Sequence, residues 1–304
     1  MLIRCLLPLL TLLLSCLAHA QSLTLDPTKL QLASVHALIV DVDTQEVLYE
    51  RNPDAIVPIA SVTKLMTAMV TLDDASQAPL DEWITVDVSQ TEEMKNVFSH
   101  VRIGSQLQRR DMLLLALMAS ENRAAATLAH HYSGGYEAFI QAMNRKAREL
   151  GMTGSHFVEP TGLSPHNVST PRDLARLIQA SARYPLIAEF STTAKKDMNF
   201  RAPRHVRAFY NTNPLVRANH WDIEASKTGY INEAGRCLVL QAAIRDRHLA
   251  IVLLDSFGKQ SHIGDAGRVR RWLETGDGGK VHPSALEYAQ RRQKMLLASQ
   301  DQSS

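Results

Sequence analysis

Cysteine is scarce in this chain of 304 residues, occurring only at Cys5, Cys16 and Cys237. The first two lie within an apolar amino-terminal segment, so a chain that loses this segment has one thiol and no internal disulfide. Cys237 belongs to an apolar run, Cys-Leu-Val-Leu, which predicts a buried and unreactive thiol. Stability must therefore come from a hydrophobic core, for which the chain is long enough.

An excess of charge of one sign is also missing, because 33 Lys and Arg face 31 Asp and Glu and the formal net charge is +2. This balance argues against a nucleic-acid-binding protein and against attachment through a basic face. The twelve histidines form no His-x-His or His-Glu-x-x-His pattern, and His130 and His131 are adjacent. With no metal-site signature and no internal repeat, we expect no metal and no cofactor.

The amino terminus has the pattern of an export signal. Residues 1–20 contain an early Arg4, an apolar run over residues 6–17 and a small-x-small ending at Ala20. The run is shorter than the ~20 residues that a transmembrane helix needs, so we predict a cleaved signal peptide. The expected location is the periplasm, with at most peripheral membrane association. Lipoprotein processing at Cys16 is a second possibility.

Hydrophobic periodicity predicts strands at both ends of the chain and helices between them. The predicted strands are 34–42 and 46–51, which form a hairpin, then 83–88, 223–230, 236–244 and 248–255. The predicted helices begin at about Ser61 and cover 111–119, 122–131, 136–150, 171–181 and 264–273, with Thr170 as an N-cap. This order predicts an α/β (α+β) protein: a sheet from both termini, flanked by helices, with an inserted all-helical subdomain.

The same patterns predict the domain organisation. Residues 21–275 are expected to form one catalytic domain, in which residues of about 89–200 make up the helical subdomain. From Gly276 onward the sequence is rich in Gly, Gln and Ser, so residues 276–304 are predicted to be a flexible tail.

The first motif that carries chemistry is Ser61-Val-Thr-Lys64. It opens a predicted helix, and the i, i+3 spacing places Lys64 one turn behind the serine on the same face. A serine hydroxyl needs an adjacent base, which a partly desolvated lysine can supply, and free N–H groups at a helix start favour oxyanion charge. A second match, Ser256-Phe-Gly-Lys259, lies after a strand in a glycine turn and is attributed to chance.

Two further motifs are Ser120-Glu-Asn122 and Lys227-Thr-Gly229. Ser120 lies between two predicted helices, where it is equally explained as the cap of the second. Lys227 lies on a predicted strand, where the alternative is a solvated edge-strand lysine. The small Gly229 would allow a substrate backbone to approach the sheet edge.

Together, in this order and spacing, the three motifs resemble those of the low-molecular-weight penicillin-binding proteins. The resemblance covers roughly residues 34–273. It also includes Val57-Pro-Ile-Ala-Ser61, Lys64-Leu-Met-Thr-Ala68, Thr161-Gly-Leu163, Asn167-Val-Ser-Thr170 and Asp173-Leu-Ala175. It implies the penicillin-binding/β-lactamase-like transpeptidase fold, with an antiparallel sheet.

The resemblance also implies catalytic roles. Ser61 would be the acylated nucleophile, Lys64 its base, and Ser120 the proton relay toward the leaving amine. These assignments suit acyl transfer, which needs an activated hydroxyl and a proton shuttle.

Five residues would bind the substrate. The resemblance implies that Asn122 binds its amide backbone, and that Lys227 and Thr228 bind its carboxylate end. Gly229 would let the substrate lie along the strand. The backbone N–H of Tyr230, with that of the nucleophile, would form an oxyanion hole.

Within this family, the short layout and Lys227-Thr-Gly-Tyr230 resemble the D-alanyl-D-alanine endopeptidase type. Such enzymes cleave cross-links between peptidoglycan stem peptides and are inhibited covalently by β-lactams. A D-alanyl-D-alanine carboxypeptidase is the first alternative, although such enzymes usually add a β-rich domain and an amphipathic carboxy-terminal helix.

A serine β-lactamase is a further alternative, because Glu159-Pro160 lies roughly where such enzymes keep a deacylating glutamate. The residues that follow, Thr161-Gly-Leu163, depart from that pattern, so Glu159 is predicted to have a structural role in its loop. Zinc murein peptidases and non-catalytic wall-binding modules are the alternatives from other classes.

Overall fold

The computed structural model describes residues 25–301 apart from 89–90, 92–93 and 95–96. The predicted signal peptide, with Cys5 and Cys16, lies outside these residues. Within the described part of the chain, no helix is both long and apolar enough to cross a membrane.

The described strands are β1 (Ser34–Asp41), β2 (Val47–Arg51), β3 (Val57–Pro58), β4 (Trp83–Thr85), β5 (Gln106–Gln108), β6 (Val168–Ser169), β7 (Lys195–Phe200), β8 (His205–Tyr210), β9 (Asp222–Ile231), β10 (Gly235–Ile244) and β11 (Arg247–Ser256). The central element is a five-stranded antiparallel sheet whose strand order is β2-β1-β11-β10-β9. Three two-stranded sheets, β3-β6, β4-β5 and β7-β8, accompany it.

Most described helices lie between the two sets of sheet strands in sequence. They are α1 (Lys64–Asp73), α2 (Arg109–Met118), α3 (Asn122–His130), α4 (Gly135–Glu149), α5 (Pro171–Ala182), α6 (Pro185–Ser191), α7 (Pro214–Ala218), α8 (Ser261–Thr275) and α9 (Pro283–Asp301). The predicted α+β architecture, with one antiparallel sheet from both termini, is confirmed. The predicted cap is also present, because Thr170 Oγ1 accepts a hydrogen bond from the Asp173 backbone N–H.

Both faces of the sheet are covered, which explains the long apolar runs of β1, β10 and β11. Successive side chains of a strand point to opposite faces. Leu38 therefore packs with the helices on one face, whereas Ile39 packs with Trp272 of α8 on the other. Cys237 is fully buried, and burial raises the pKa of its thiol to about 12, as expected for an unreactive cysteine.

Two local predictions were incomplete. The strand predicted at 83–88 has its ladder only over Trp83–Thr85, and its partner β5 was not predicted. The hairpin β7-β8 was not predicted either, and its first strand lies within the block of about 89–200 that was expected to be all helical. Its first strand buries only Met198 and Phe200, so it lacks the apolar alternation from which strands are recognised.

The carboxy-terminal segment differs from the predicted flexible tail, because α9 is a long helix that packs on the sheet. Tyr288 Oη and Arg292 Nε donate to the Asp255 carboxylate at 2.5 and 2.6 Å, and Asn52 and Gln293 form an amide pair. The polar side chains of this segment, from which mobility was predicted, instead form hydrogen bonds with buried polar groups at the end of β11.

Candidate active site

The Ser61 hydroxyl lies in a 3₁₀ turn, Ala60–Thr63, that leads directly into α1. Lys64, the first residue of α1, is fully buried, and its Nζ donates to Ser61 Oγ at 3.0 Å. The same Nζ donates to Asn122 Oδ1 at 2.7 Å and to the Thr161 carbonyl at 2.5 Å. The two side chains of the first motif are therefore in contact.

Burial lowers the pKa of Lys64 to about 8, although the carboxylates of Glu159 and Glu121 oppose this shift. A neutral lysine amine has two N–H donors and one lone pair. With Asn122 and Thr161 accepting the two donors, the lone pair is left for the Ser61 hydroxyl. This environment makes Lys64 suitable as a general base.

Ser120 and Lys227 form a second pair across the cleft. Lys227 is buried on β9, and its Nζ donates to Ser120 Oγ at 2.9 Å and to the Thr228 carbonyl at 2.8 Å. Burial and the nearby Lys64 hold the pKa of Lys227 well below its usual range. The alternative of a solvated edge-strand lysine is therefore wrong.

Ser120 is also not a helix cap, because α3 has no side-chain cap hydrogen bond. Its φ of +57° lies in the left-handed region that non-glycine residues seldom adopt. Such strain is typical of functional positions that their surroundings hold in place. Asn122 begins α3, and its Nδ2 makes no hydrogen bond within the described residues, so this donor is available to a substrate carbonyl.

The remaining predicted residues lie along β9. Thr228 Oγ1 is 2.6 Å from Thr212 Oγ1, and the half-exposed Tyr230 ring lies beneath the Arg236 guanidinium, 3.9 Å from its Cζ. A Cβ on Gly229 would lie 3.1 Å from the Ser61 backbone nitrogen. The close approach at Gly229 is therefore to the turn that carries Ser61.

The loop that contains Glu159 supports the same turn from behind. The buried Glu159 carboxylate accepts hydrogen bonds from the Thr161 N–H and hydroxyl, both at 2.6 Å, from the Gly162 N–H and from Asn167 Nδ2. Gly162 has a φ of +80°, and a Cβ there would lie 2.0 Å from the Ala60 carbonyl oxygen. Glu159 thus organises its loop, as the sequence predicted.

These groups open into a cavity of about 420 Å³, which Ser61, Ser120, Thr228, Gly229 and Tyr230 help to line. Sequence reasoning missed part of its wall, namely Arg217, Arg236, Lys259 and His262. Each is an isolated residue with no motif around it, apart from Lys259, whose Ser-x-x-Lys match was attributed to chance. Among the described residues, no three His, Cys, Asp or Glu side chains are grouped so that they could hold a metal ion.

Comparison with known proteins places the chain among cell-wall peptidases. Residues 22–258 match the family described as D-alanyl-D-alanine carboxypeptidase. A D-alanyl-D-alanine endopeptidase of Escherichia coli is 53% identical over 269 residues, covering 88% of this chain and 86% of that protein. One from Pseudomonas aeruginosa is 54% identical over 268 residues, with the same coverage.

Solved structures give the same result for the fold. The DD-transpeptidase of Streptomyces K15 superposes with a TM-score of 0.74 at 26% identity, covering 81% of this chain and 98% of that one. Penicillin-binding protein D2 of Listeria monocytogenes, in its cefotaxime-bound form, superposes with a TM-score of 0.69 at 27% identity and the same coverage. The predicted transpeptidase fold is confirmed.

Proposed function

We propose that this chain is an endopeptidase that cleaves D-alanyl cross-links of peptidoglycan through an acyl-enzyme on Ser61. The chain belongs to the D-alanyl-D-alanine carboxypeptidase family and is a serine-type D-Ala-D-Ala peptidase. The observation that carries this proposal is the 3.0 Å contact between the buried Lys64 Nζ and Ser61 Oγ, beside an open cavity. Two relatives that share more than half of their aligned residues with it bear the endopeptidase name.

In the proposed acylation step, neutral Lys64 takes the Ser61 hydroxyl proton while Oγ attacks the D-alanyl carbonyl carbon. The carbonyl oxygen becomes an oxyanion, which the backbone N–H groups of Ser61 and Tyr230 would stabilise. When the C–N bond breaks, the leaving amine needs one proton. Ser120 would give its proton to the amine and regain one from the Lys64 ammonium, so that Lys64 is neutral again, and Lys227 would hold the Ser120 hydroxyl in position through their 2.9 Å contact.

Deacylation would regenerate the enzyme by attack of water on the ester of Ser61. Lys64 is the nearest candidate to accept the water proton, since Glu159 is engaged with its own loop. Slow deacylation of a β-lactam ester is expected, because Lys64 is the only described side chain that forms a hydrogen bond with Ser61 Oγ. β-Lactams would therefore act as covalent inhibitors.

The substrate would lie along β9. Asn122 Nδ2 would donate to a carbonyl of the donor stem peptide, and Lys227 and Thr228 would bind the carboxylate end of the substrate. We further propose export to the periplasm by cleavage of residues 1–20, with residues 21–275 as the catalytic domain. No cofactor takes part in this scheme.

Penicillin binding and cross-link digestion test the proposal together. The protein is incubated with penicillin and its intact mass and adduct position are determined, while purified cross-linked peptidoglycan is digested in parallel. We expect a long-lived adduct on Ser61 and conversion of dimeric stem peptides to monomers. Ser61→Ala should abolish both, whereas Ser256→Ala, in the other Ser-x-x-Lys match, should retain both.

Other results would identify the alternatives. Rapid penicillin turnover through a transient adduct indicates a β-lactamase, and release of terminal D-alanine with intact dimers indicates a carboxypeptidase. Dimer cleavage that EDTA abolishes indicates a zinc peptidase. With neither adduct nor cleavage, the proposed function is wrong.

A further inference from the structure

Two cationic side chains on the cavity wall have neither a hydrogen-bond acceptor nor an anionic partner among the described residues. They are those of Arg236 and Lys259, which line the cavity with Ser61. By contrast, Arg292 is paired with Asp255, and Arg217, on the same wall, donates to the Asn211 carbonyl. Because a cleft lined by charges of one sign attracts ligands of the opposite sign, these two cations are available to an external anion.

The chemistry of the wall supports an anionic ligand. No Asp or Glu lines the cavity, so nothing there would repel a carboxylate or compete for the two cations. Arg236 is only partly exposed, and its guanidinium stacks on the Tyr230 ring, which limits its orientations. An arginine held in this way presents a planar set of donors that suits a carboxylate.

His262, in the first turn of α8, adds an independent observation. Its side chain lines the same cavity although the residue is only 6% exposed, and its Nδ1 is buried without a hydrogen-bond partner. Its Nε2 also has no partner among the described residues. Burial, together with Arg236, lowers the pKa of His262 to about 4, so the ring is neutral and retains one N–H donor.

We propose that Arg236, Lys259 and His262 form a carboxylate subsite for the peptide released by cleavage, separate from the contacts assigned to Lys227 and Thr228. Lys227 is buried and already donates to Ser120, whereas Lys259 is exposed at the cavity edge. The carboxylate bound there therefore belongs to a more distant part of the leaving stem peptide. This inference rests on the proposed function and specifies its substrate as an acidic acceptor peptide.

Synthetic cross-linked dimers test the subsite. Both dimers keep a free carboxylate next to the scissile nitrogen, and the other carboxylates of the leaving peptide are free in one and amidated in the other. We expect the wild-type protein to cleave the free-acid dimer with a kcat/KM about tenfold higher, the size of one charge-assisted hydrogen bond.

The variants separate the subsite from general charge effects. Arg236→Gln and Lys259→Gln should each reduce the tenfold preference, and the double variant should reduce it to about one. Lys280→Gln removes the same charge at a pocket away from Ser61 and should retain the preference. His262→Phe should weaken the preference as well.

Failure of the subsite and failure of the proposed function give different results. Equal cleavage of both dimers by the wild type, or an undiminished preference in the double variant, overturns the subsite alone. If no dimer is cleaved, calorimetric binding of both dimers to Ser61→Ala decides the question. Tighter binding of the free acid that depends on Arg236 and Lys259 supports the subsite, and equal binding overturns it.

Discussion

Nζ of Lys64 donates to Oγ of Ser61 at 3.0 Å from a position that is entirely closed to solvent. Burial destabilises the charged ammonium, which is why the pKa of Lys64 is lowered to about 8. When the Lys64 amine is neutral, the Ser61 hydroxyl proton can therefore move to it across this contact near physiological pH.

Acylation should depend on pH through Lys64. Below its pKa of about 8, most of the amine is protonated and cannot accept the serine proton, so the acylation rate should rise with pH and level off above about 8. Stopped-flow measurements with a fluorescent penicillin from pH 6 to 10 provide the profile. A rate independent of pH over this range would contradict the role of Lys64.

Replacing Lys64 by arginine, whose side chain stays protonated, should remove catalysis. Lys64→Arg should lower the acylation rate by about 10³-fold, because a guanidinium does not lose its proton. Lys146→Arg, in a surface ion pair with Asp73, is the matched control and should leave the rate unchanged. Thermal unfolding of both variants checks that the fold is retained.

Lys227→Ala should lower acylation by about 10²-fold without unfolding the protein. The substitution removes the donor that holds Ser120 and the positive charge beside it, but it also removes a buried amine that is costly to desolvate. Lys196→Ala, at an exposed position of β7, should have no effect. An unchanged acylation rate in Lys227→Ala would refute its assigned role.

Glu159→Gln should lower stability and leave deacylation unchanged. The carboxylate accepts hydrogen bonds from Thr161, Gly162 and Asn167, and an amide lacks one of the acceptor atoms, so we expect a loss of about 2 kcal/mol in the free energy of unfolding. Chemical denaturation and the lifetime of the penicillin adduct are measured. An adduct that lives at least tenfold longer than in wild type would instead make Glu159 a deacylating base.

Two glycines with nearly the same backbone angle should respond differently to alanine. Gly162 and Gly104 have φ values of +80° and +78°, so each alanine carries a similar strain of roughly 1 kcal/mol. At Gly162 the new Cβ would also lie 2.0 Å from the Ala60 carbonyl oxygen, whereas at Gly104 nothing lies within 4 Å. We expect Gly162→Ala to lower acylation by at least about tenfold and Gly104→Ala to leave it unchanged. Equal effects on acylation would show that the turn at Ser61 does not need this support.

The docking of α9 should contribute to stability through Asp255. Arg292→Gln leaves a buried carboxylate without its ion-pair partner and should lower the free energy of unfolding by about 1–3 kcal/mol. Arg291→Gln, at the exposed neighbouring position, should change it by less than about 0.5 kcal/mol. Urea denaturation of both variants measures the difference, and equal stabilities would mean that α9 is not anchored at Asp255.

Prediction from sequence succeeded where periodicity is strong and failed where a segment is stabilised by distant partners. The strands β1, β10 and β11 contain long apolar runs and were located to within one residue at each end. The helix α9 has a polar sequence, and its docking depends on Asp255 and Asn52, which lie far away in the chain. No local pattern contains that information.

The sequence by itself determined the contact between the proposed nucleophile and its base, because Ser61 and Lys64 are three residues apart and the start of a helix brings such residues together. Tertiary structure alone decided the partner of Ser120, since Lys227 is 107 residues further along the chain and reaches it only when β9 lies beside the helices. It also decided which lysines are buried and which face the cavity. Desolvation depends on what surrounds a side chain, and a local motif does not carry that information.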